Sequence, residues 1–139
     1  MENFNIDTLD SFTRAYMECA LWSSTFEDDD GNTVPMDENF NLYFLAPETR
    51  AKMIADCKKF KSECEQLLAD AFYKNSVRFK NSFAAFEAQA GHDFWLTRCG
   101  HGAGFWDGDW PVNGDALTKA CKAYPNIDLY IGDDGLIYA

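Results

Sequence analysis

Apolar residues recur along this chain first at intervals of three and four and later at intervals of two, and that change divides it. Leu9, Phe12, Tyr16, Cys19 and Ala20 keep the spacing that aligns side chains on one stripe of an α-helix. A first helix is predicted over about 8–22, opened by Asp7 and Asp10 as a short-acid capping box. Leu42 to Leu45 then form an apolar anchor, and Ala46-Pro47-Glu48 has proline and an acid where a helix starts. The stripe Met53, Cys57, Phe60, Cys64, Leu67, Ala71 predicts a long second helix over about 48–71. After a bend at Phe72 to Ser76, the phase Phe79, Phe83, Phe86, Ala90 predicts a third helix, with Gly91 as its C-terminal cap.

Past Gly91 the pattern changes to period two. In Asp93 to Arg98 alternation sets Phe94, Leu96 and Arg98 against Asp93, Trp95 and Thr97, the two faces of a strand. Cys99-Gly100-His101-Gly102 supplies a turn and Ala103 to Trp106 a return strand. Asp107-Gly108-Asp109-Trp110-Pro111 is a turn-rich connection. Asn113 is the N-cap expected for a short helix carrying Leu117, Ala120, Cys121 and Tyr124, which Pro125 stops. Ile127, Leu129 and Ile131 alternate with polar residues, and Gly132 to Gly135 turns that strand back into Leu136 to Tyr138. The expected fold is α+β: one domain, 1–139, in which three N-terminal helices pack on a small, mainly antiparallel sheet of two hairpins with a short helix between them.

Charge changes this picture in one region. The net charge is -11, and residues 1–44 carry ten acids against one base. The stretch from Phe26 to Asn41 reads as a solvated loop, since burying Glu27, Asp28, Asp29 and Asp30 is costly. Asp28, Asp30 and Asn32 alternate as in a calcium loop, but the glycine comes at the fourth position and Glu38 one residue early, so no metal is assigned. The acidity repels phosphate backbones and favours cationic protein surfaces. Lys74, Arg78 and Lys80 make a local basic cluster, read as a solvated face or an internal partner for the acids. The acidic N-terminus is no secretion signal and no apolar run reaches the roughly 18 residues of a membrane span, so a cytoplasmic protein is expected. Five cysteines, an odd number without a CxxC pair, read as reduced and mostly buried.

Candidate chemistry gathers at His92, Asp93, His101 and Asp107, the groups that would serve a small metal-dependent hydrolase or nucleotide-handling enzyme. The interval between the histidines fits no standard zinc pattern, HExxH is absent, and GHGAG lacks the Lys-Ser/Thr ending of a phosphate loop. A turn histidine bonded to backbone and a His92-Asp93 pair closing the junction are the preferred explanations, and no cofactor is expected.

The strings HDFWLTR at 92–98 and HGAGFWD at 101–107, then Gly114, Asp115, Leu117, Thr118 and the terminal YIGDDGLIY, resemble a family of small, mostly uncharacterised proteins of tailed bacteriophages and prophages. The likeness spans Gly91 to Ala139, with the APET segment at 46–49 adding to it. It implies a phage origin and an intracellular role during infection, and carries no activity over residue by residue. The resulting expectation is a non-enzymatic accessory protein that binds a host protein. An acidic inhibitor of a CRISPR, restriction or other defence nuclease is one version, since carboxylates can stand where phosphates would sit. The partner-binding candidates are Glu27, Asp28, Asp29, Asp30, Asp37, Glu38, Trp106 and Trp110. Direct nucleic-acid and membrane contacts are not expected, and an exposed aromatic face would suit a homodimer.

Overall fold

The computed structural model describes residues 4–74, 79 and 82–139. The first helix, α1 (Ser11–Ser23), starts where Asp10 Oδ1 accepts the Thr13 amide at 2.7 Å. Asp7 lies instead in a 3-10 turn capped by Asn5. The acidic stretch is not wholly irregular, because β1 (Thr25–Glu27) and β2 (Thr33–Pro35) pair antiparallel across it. Asp28 Oδ1 makes the turn by accepting the amides of Asp30 and Asn32 at 3.0 and 2.8 Å, and Gly31 takes φ +81°. The calcium-like alternation is thus used on the backbone.

The single helix expected over 48–71 is two, α2 (Pro47–Glu63) and α3 (Glu65–Lys74), broken at Cys64. The buried stripe Met53, Cys57, Phe60, Cys64 continues as Leu68 and Ala71, with Leu67 only partly buried. Arg78 and Lys80 of the basic cluster, and Ser76 of the bend, lie outside the described residues.

The main correction concerns Gly91 to Asp107. Helix α4 (Phe83–Arg98) begins at a Ser82 cap and runs straight through Gly91. Asp93 to Arg98 is therefore its last turns and not a strand. Phe94, Trp95, Leu96 and Arg98 are all buried, and a helix enclosed on every side shows no polar stripe, so its sequence imitates a two-faced strand. Gly91 caps nothing. It sits where α4 crosses α1, and a Cβ there would collide with the Phe12 carbonyl oxygen. The predicted turn is a real one, but it ends a helix. Gly100 takes φ +72°, its amide donates to Thr97 O at 3.2 Å, and the His101 amide donates to Leu96 O at 3.0 Å, the paired bonds of a Schellman cap.

No return strand follows. Residues 99–113 fold back on α4, where Thr97 Oγ1 accepts the Phe105 amide at 3.0 Å. Asp107 holds this loop by accepting the Gly104 and Asp109 amides at 3.2 and 3.1 Å. Helix α5 (Gly114–Cys121) and the terminal hairpin of β3 (Tyr130–Ile131) and β4 (Ile137–Tyr138) follow as expected, though the strands are short. Asn113 does not cap with its side chain, which donates to Leu67 O at 2.9 Å.

Among the described residues the regular structure is thus five α-helices and two separate two-stranded sheets. It is an α-rich fold with α4 at its centre, and not the expected α+β arrangement of helices on a sheet. Phe94 of α4 stacks on Phe60 of α2 at 4.1 Å and 15°. Phe12, Phe105 and Tyr124 surround that pair, each ring 5.1 to 6.1 Å from one of the two. Stacked and edge-on aromatic contacts of this kind dominate core energetics. No helix of the described residues is long and apolar enough to cross a membrane.

Candidate functional site

Of the four groups singled out for catalysis or metal binding, His92 and Asp93 touch each other, while His101 and Asp107 lie elsewhere. Asp93 is buried on α4, where Oδ2 accepts the Trp110 indole N–H at 2.6 Å and the Gln89 amide at 2.9 Å, while Oδ1 meets His92 Nδ1 at 3.1 Å. Both of its oxygens are thus engaged by groups of the scaffold. His92 lies over Trp22 of α1, ring to ring at 6.1 Å, in a cleft it shares with Glu18 and Asp37. His101 lines a different cleft with Ser23 and Asp128, and Asp107 is exposed in the loop it holds. Among the described residues no three His, Cys, Asp or Glu side chains are grouped so that they could hold a metal ion.

Two further residues of the motif, Trp95 and Arg98, are built into the core. Trp95 is buried with its indole N–H donated to Ser23 Oγ at 2.7 Å. Arg98 is buried too. Its Nη1 donates to Asp56 Oδ2 at 2.8 Å and to the Tyr16 hydroxyl at 3.1 Å, and its Nε to Pro125 O at 2.9 Å. One guanidinium thereby ties α4 to α1, α2 and the segment after α5. Desolvation pulls its pKa down, but the Tyr16 and Asp56 oxygens outweigh that and hold it above the usual arginine value. Burial drives the Tyr16 hydroxyl far above the normal tyrosine range.

The partner-binding candidates divide. Trp110 is 5% exposed and belongs to the core, whereas Trp106 is 52% exposed. Glu27, Asp29, Asp30, Asp37 and Glu38 are exposed and Asp28 is half-buried. None of these six acids forms an ion pair with a described residue. Some acids on the helices are ion-paired: Asp10 and Glu87 share Lys61 at 3.1 and 2.6 Å, Glu18 holds Arg14 at 2.7 Å, and Asp56 holds Arg98.

A scan against protein-family models, a search of curated proteins and a search of solved structures each find no match to this chain.

A cleft of about 610 Å³ opens between the acidic β1–β2 hairpin and the C-terminal hairpin. Glu27, Asp28 and Asp29 lie at its wall with Phe26, Phe40 and Tyr130. It adjoins the cleft of about 280 Å³ at His101, with which it shares Thr25 and Leu129. Sequence reasoning found the acids from composition. It missed Tyr130 and Phe40, because the cleft joins segments about ninety residues apart in the chain whose proximity leaves no local pattern.

Proposed function

We propose that this chain is a phage-encoded accessory protein, without an enzymatic activity of its own, that acts in the host cytoplasm by binding a host protein through a cationic surface. The nucleic-acid-binding face of a CRISPR, restriction or other defence effector is the partner chemistry that fits best. The observation that carries this reading is the clustering of six acids on and after the β1–β2 hairpin, five of them exposed and none ion-paired among the described residues. An exposed carboxylate not engaged in an ion pair is available to a cation of another protein, and it strengthens and steers encounter with a basic surface. The phage-like strings at 92–107 and 130–138 supply the biological setting. Their buried residues hold up the scaffold that presents the acids.

Affinity capture from host lysate with wild-type protein and with a triple Asp28→Asn, Asp29→Asn, Asp30→Asn variant tests the reading. Asparagine keeps the turn-forming oxygen of Asp28 while removing charge. The expected result is a specific host protein whose recovery falls with added salt and with the triple substitution, because exposed charges are screened beyond ~10 Å at 0.1 M ionic strength. Recovery that ignores both salt and substitution would overturn it.

A further inference from the structure

The register of the two hairpins shows which strand edges are occupied. Met36 N donates to Ser24 O at 2.9 Å and Asp28 N to Asn32 O at 2.9 Å, and the pairing of Phe26 with Val34 lies midway between them. Hydrogen-bonded pairs alternate in an antiparallel ladder, so Phe26 faces β2 while the backbone groups of Thr25 and Glu27 point outward. In the second hairpin Gly132 N donates to Leu136 O at 2.8 Å. The same alternation turns Tyr130 toward β4 and Ile131, with Leu129, outward.

Two of the four outer edges are partly blocked. On β4 the Ile137 carbonyl accepts the Ala46 amide at 2.9 Å, and on β2 the outward position Pro35 has no N–H to give, which leaves Thr33 as its outward donor. The edges of β1 and β3 bond to no other described residue. Residues of both strands line the two adjoining clefts, which form one trough. Residues 23–25 and 126–129 line its smaller part, and residues 25–29 and 129–131 the larger, with Thr25 and Leu129 common to both. The trough walls carry Glu27, Asp28, Asp29 and Asp128 and no lysine or arginine.

We propose that this trough is a strand-accepting slot, in which an extended, lysine- or arginine-bearing segment of the partner protein inserts between β1 and β3 and hydrogen-bonds to both. Such a guest joins two small sheets into one, its backbone supplying affinity and its alternate side chains selectivity. Cationic side chains meet the acids at the hairpin end, and apolar ones cover Phe26 and Phe40. The proposal rests on the protein-binding reading above and names the partner element it requires.

The probe is a synthetic peptide of about seven residues alternating lysine and valine, long enough for the six residues of 126–131 at ~3.3 Å each. Controls are its glutamate–valine counterpart and a version N-methylated at alternate amides. Hydrogen exchange on the full chain is expected to show the Thr25, Glu27 and Ile131 amides slowed by the basic peptide alone, with the Phe26 amide unchanged. Thr25→Pro removes an outward N–H without touching the β1–β2 ladder and is expected to weaken binding about tenfold. The double variant Glu27→Lys, Asp29→Lys keeps every backbone group, so it covers the case in which the proline variant fails to fold, and the basic peptide should no longer bind it.

Peptide protection confined to other surfaces, or equal binding of the N-methylated peptide, would overturn the slot. So would protection of these amides without peptide, rising with protein concentration alongside a dimer in sedimentation, since the occupant would then be a second copy. Acid-dependent capture of a host protein that survives Thr25→Pro rejects the slot but leaves the proposed function standing, whereas capture indifferent to the acids rejects that function itself.

Discussion

Trp110 and Asp93 are joined by an indole N–H to carboxylate hydrogen bond of 2.6 Å, with both side chains buried. The bond fixes the loop after α4 to the helix it leaves, and it changes what the HDFW string means. Asp93→Ala strands a buried indole N–H and the Gln89 amide, and is expected to cost roughly 2–3 kcal/mol. Asp93→Asn can still accept from Trp110 and should cost only about 1 kcal/mol. Chemical denaturation with tryptophan fluorescence measures both. Equal losses would mean that the hydrogen bond to Trp110 contributes nothing specific.

Gly91 gives a sharper prediction because its reason is spatial. Any Cβ at this position meets the Phe12 carbonyl across the α1–α4 crossing, and neither helix backbone can yield without disturbing the aromatic core around Phe94. Gly91→Ala is expected to destabilise the fold by about 1–3 kcal/mol or more, as overpacking does. Gly102 has open space around it, so Gly102→Ala should be close to neutral. Thermal unfolding of the two variants side by side decides the matter.

What could be read from the sequence follows from how locally each element is determined. Helix α1, α5 and the terminal hairpin announce themselves through stripe, proline stop and Gly132 to Gly135 turn, and the structure has all three. The phase Phe86, Ala90, Phe94 continued through Gly91, yet Trp95 and Leu96, which follow directly on Phe94, are apolar too. Period two and period 3.6 then describe the segment equally well, and only its burial on all sides distinguishes them. The acid cluster was legible as composition. The edges beside it were not, because which backbone groups point outward depends on a register set by Asp28 and Asn32.

Arg98 carries the third prediction. Removing its guanidinium leaves Asp56, the Tyr16 hydroxyl and the Pro125 carbonyl without their donor. Breaking a buried pair from one side costs about 3–5 kcal/mol, so Arg98→Met should rank with the most damaging single changes in this chain. Tyr16→Phe removes only one acceptor and leaves the Asp56 and Pro125 bonds, and about 1 kcal/mol is expected. Urea midpoints for the two variants give the comparison, and a Tyr16→Phe loss matching that of Arg98→Met would show that the network does not centre on the arginine.

Cysteine reactivity offers a check on the core. Burial pushes the thiols of Cys19 and Cys121 up to about 12, Cys57 well above its usual value, and Cys64 and Cys99 upward. The thiolate is the reacting species, so the native protein should react slowly with a disulfide reagent at neutral pH. Cys99, half-buried with its Sγ 3.7 Å from Ile127 O, should be modified first. Denaturant should release all five. Rapid modification of two or more thiols in the native state would contradict the packing of α1 against α4.

The last prediction concerns acid. Asp10 caps α1 and also meets Lys61, which bridges it to Glu87 on α4. Partial burial opposes its ionisation, but the bonds from Thr13 and Lys61 outweigh that and hold its carboxyl below the usual value of 3.8. A depressed folded-state pKa means that the unfolded chain takes up the proton first as pH falls. Asp10 therefore stabilises the fold fully above about pH 5, and the contribution is lost as pH drops through 3.8 toward the folded value. Asp10→Asn keeps a cap oxygen for Thr13 but deletes the charge on Lys61. At neutral pH it should cost less than about 1 kcal/mol, since the side chain is 47% exposed and partly screened. Its effect should shrink below pH 4, where the wild type loses the same charge. Stability measured from pH 7 down to about pH 2.5 should show the two curves converging. A gap that stays constant over that range would mean that Asp10 acts through its cap geometry and not through its charge.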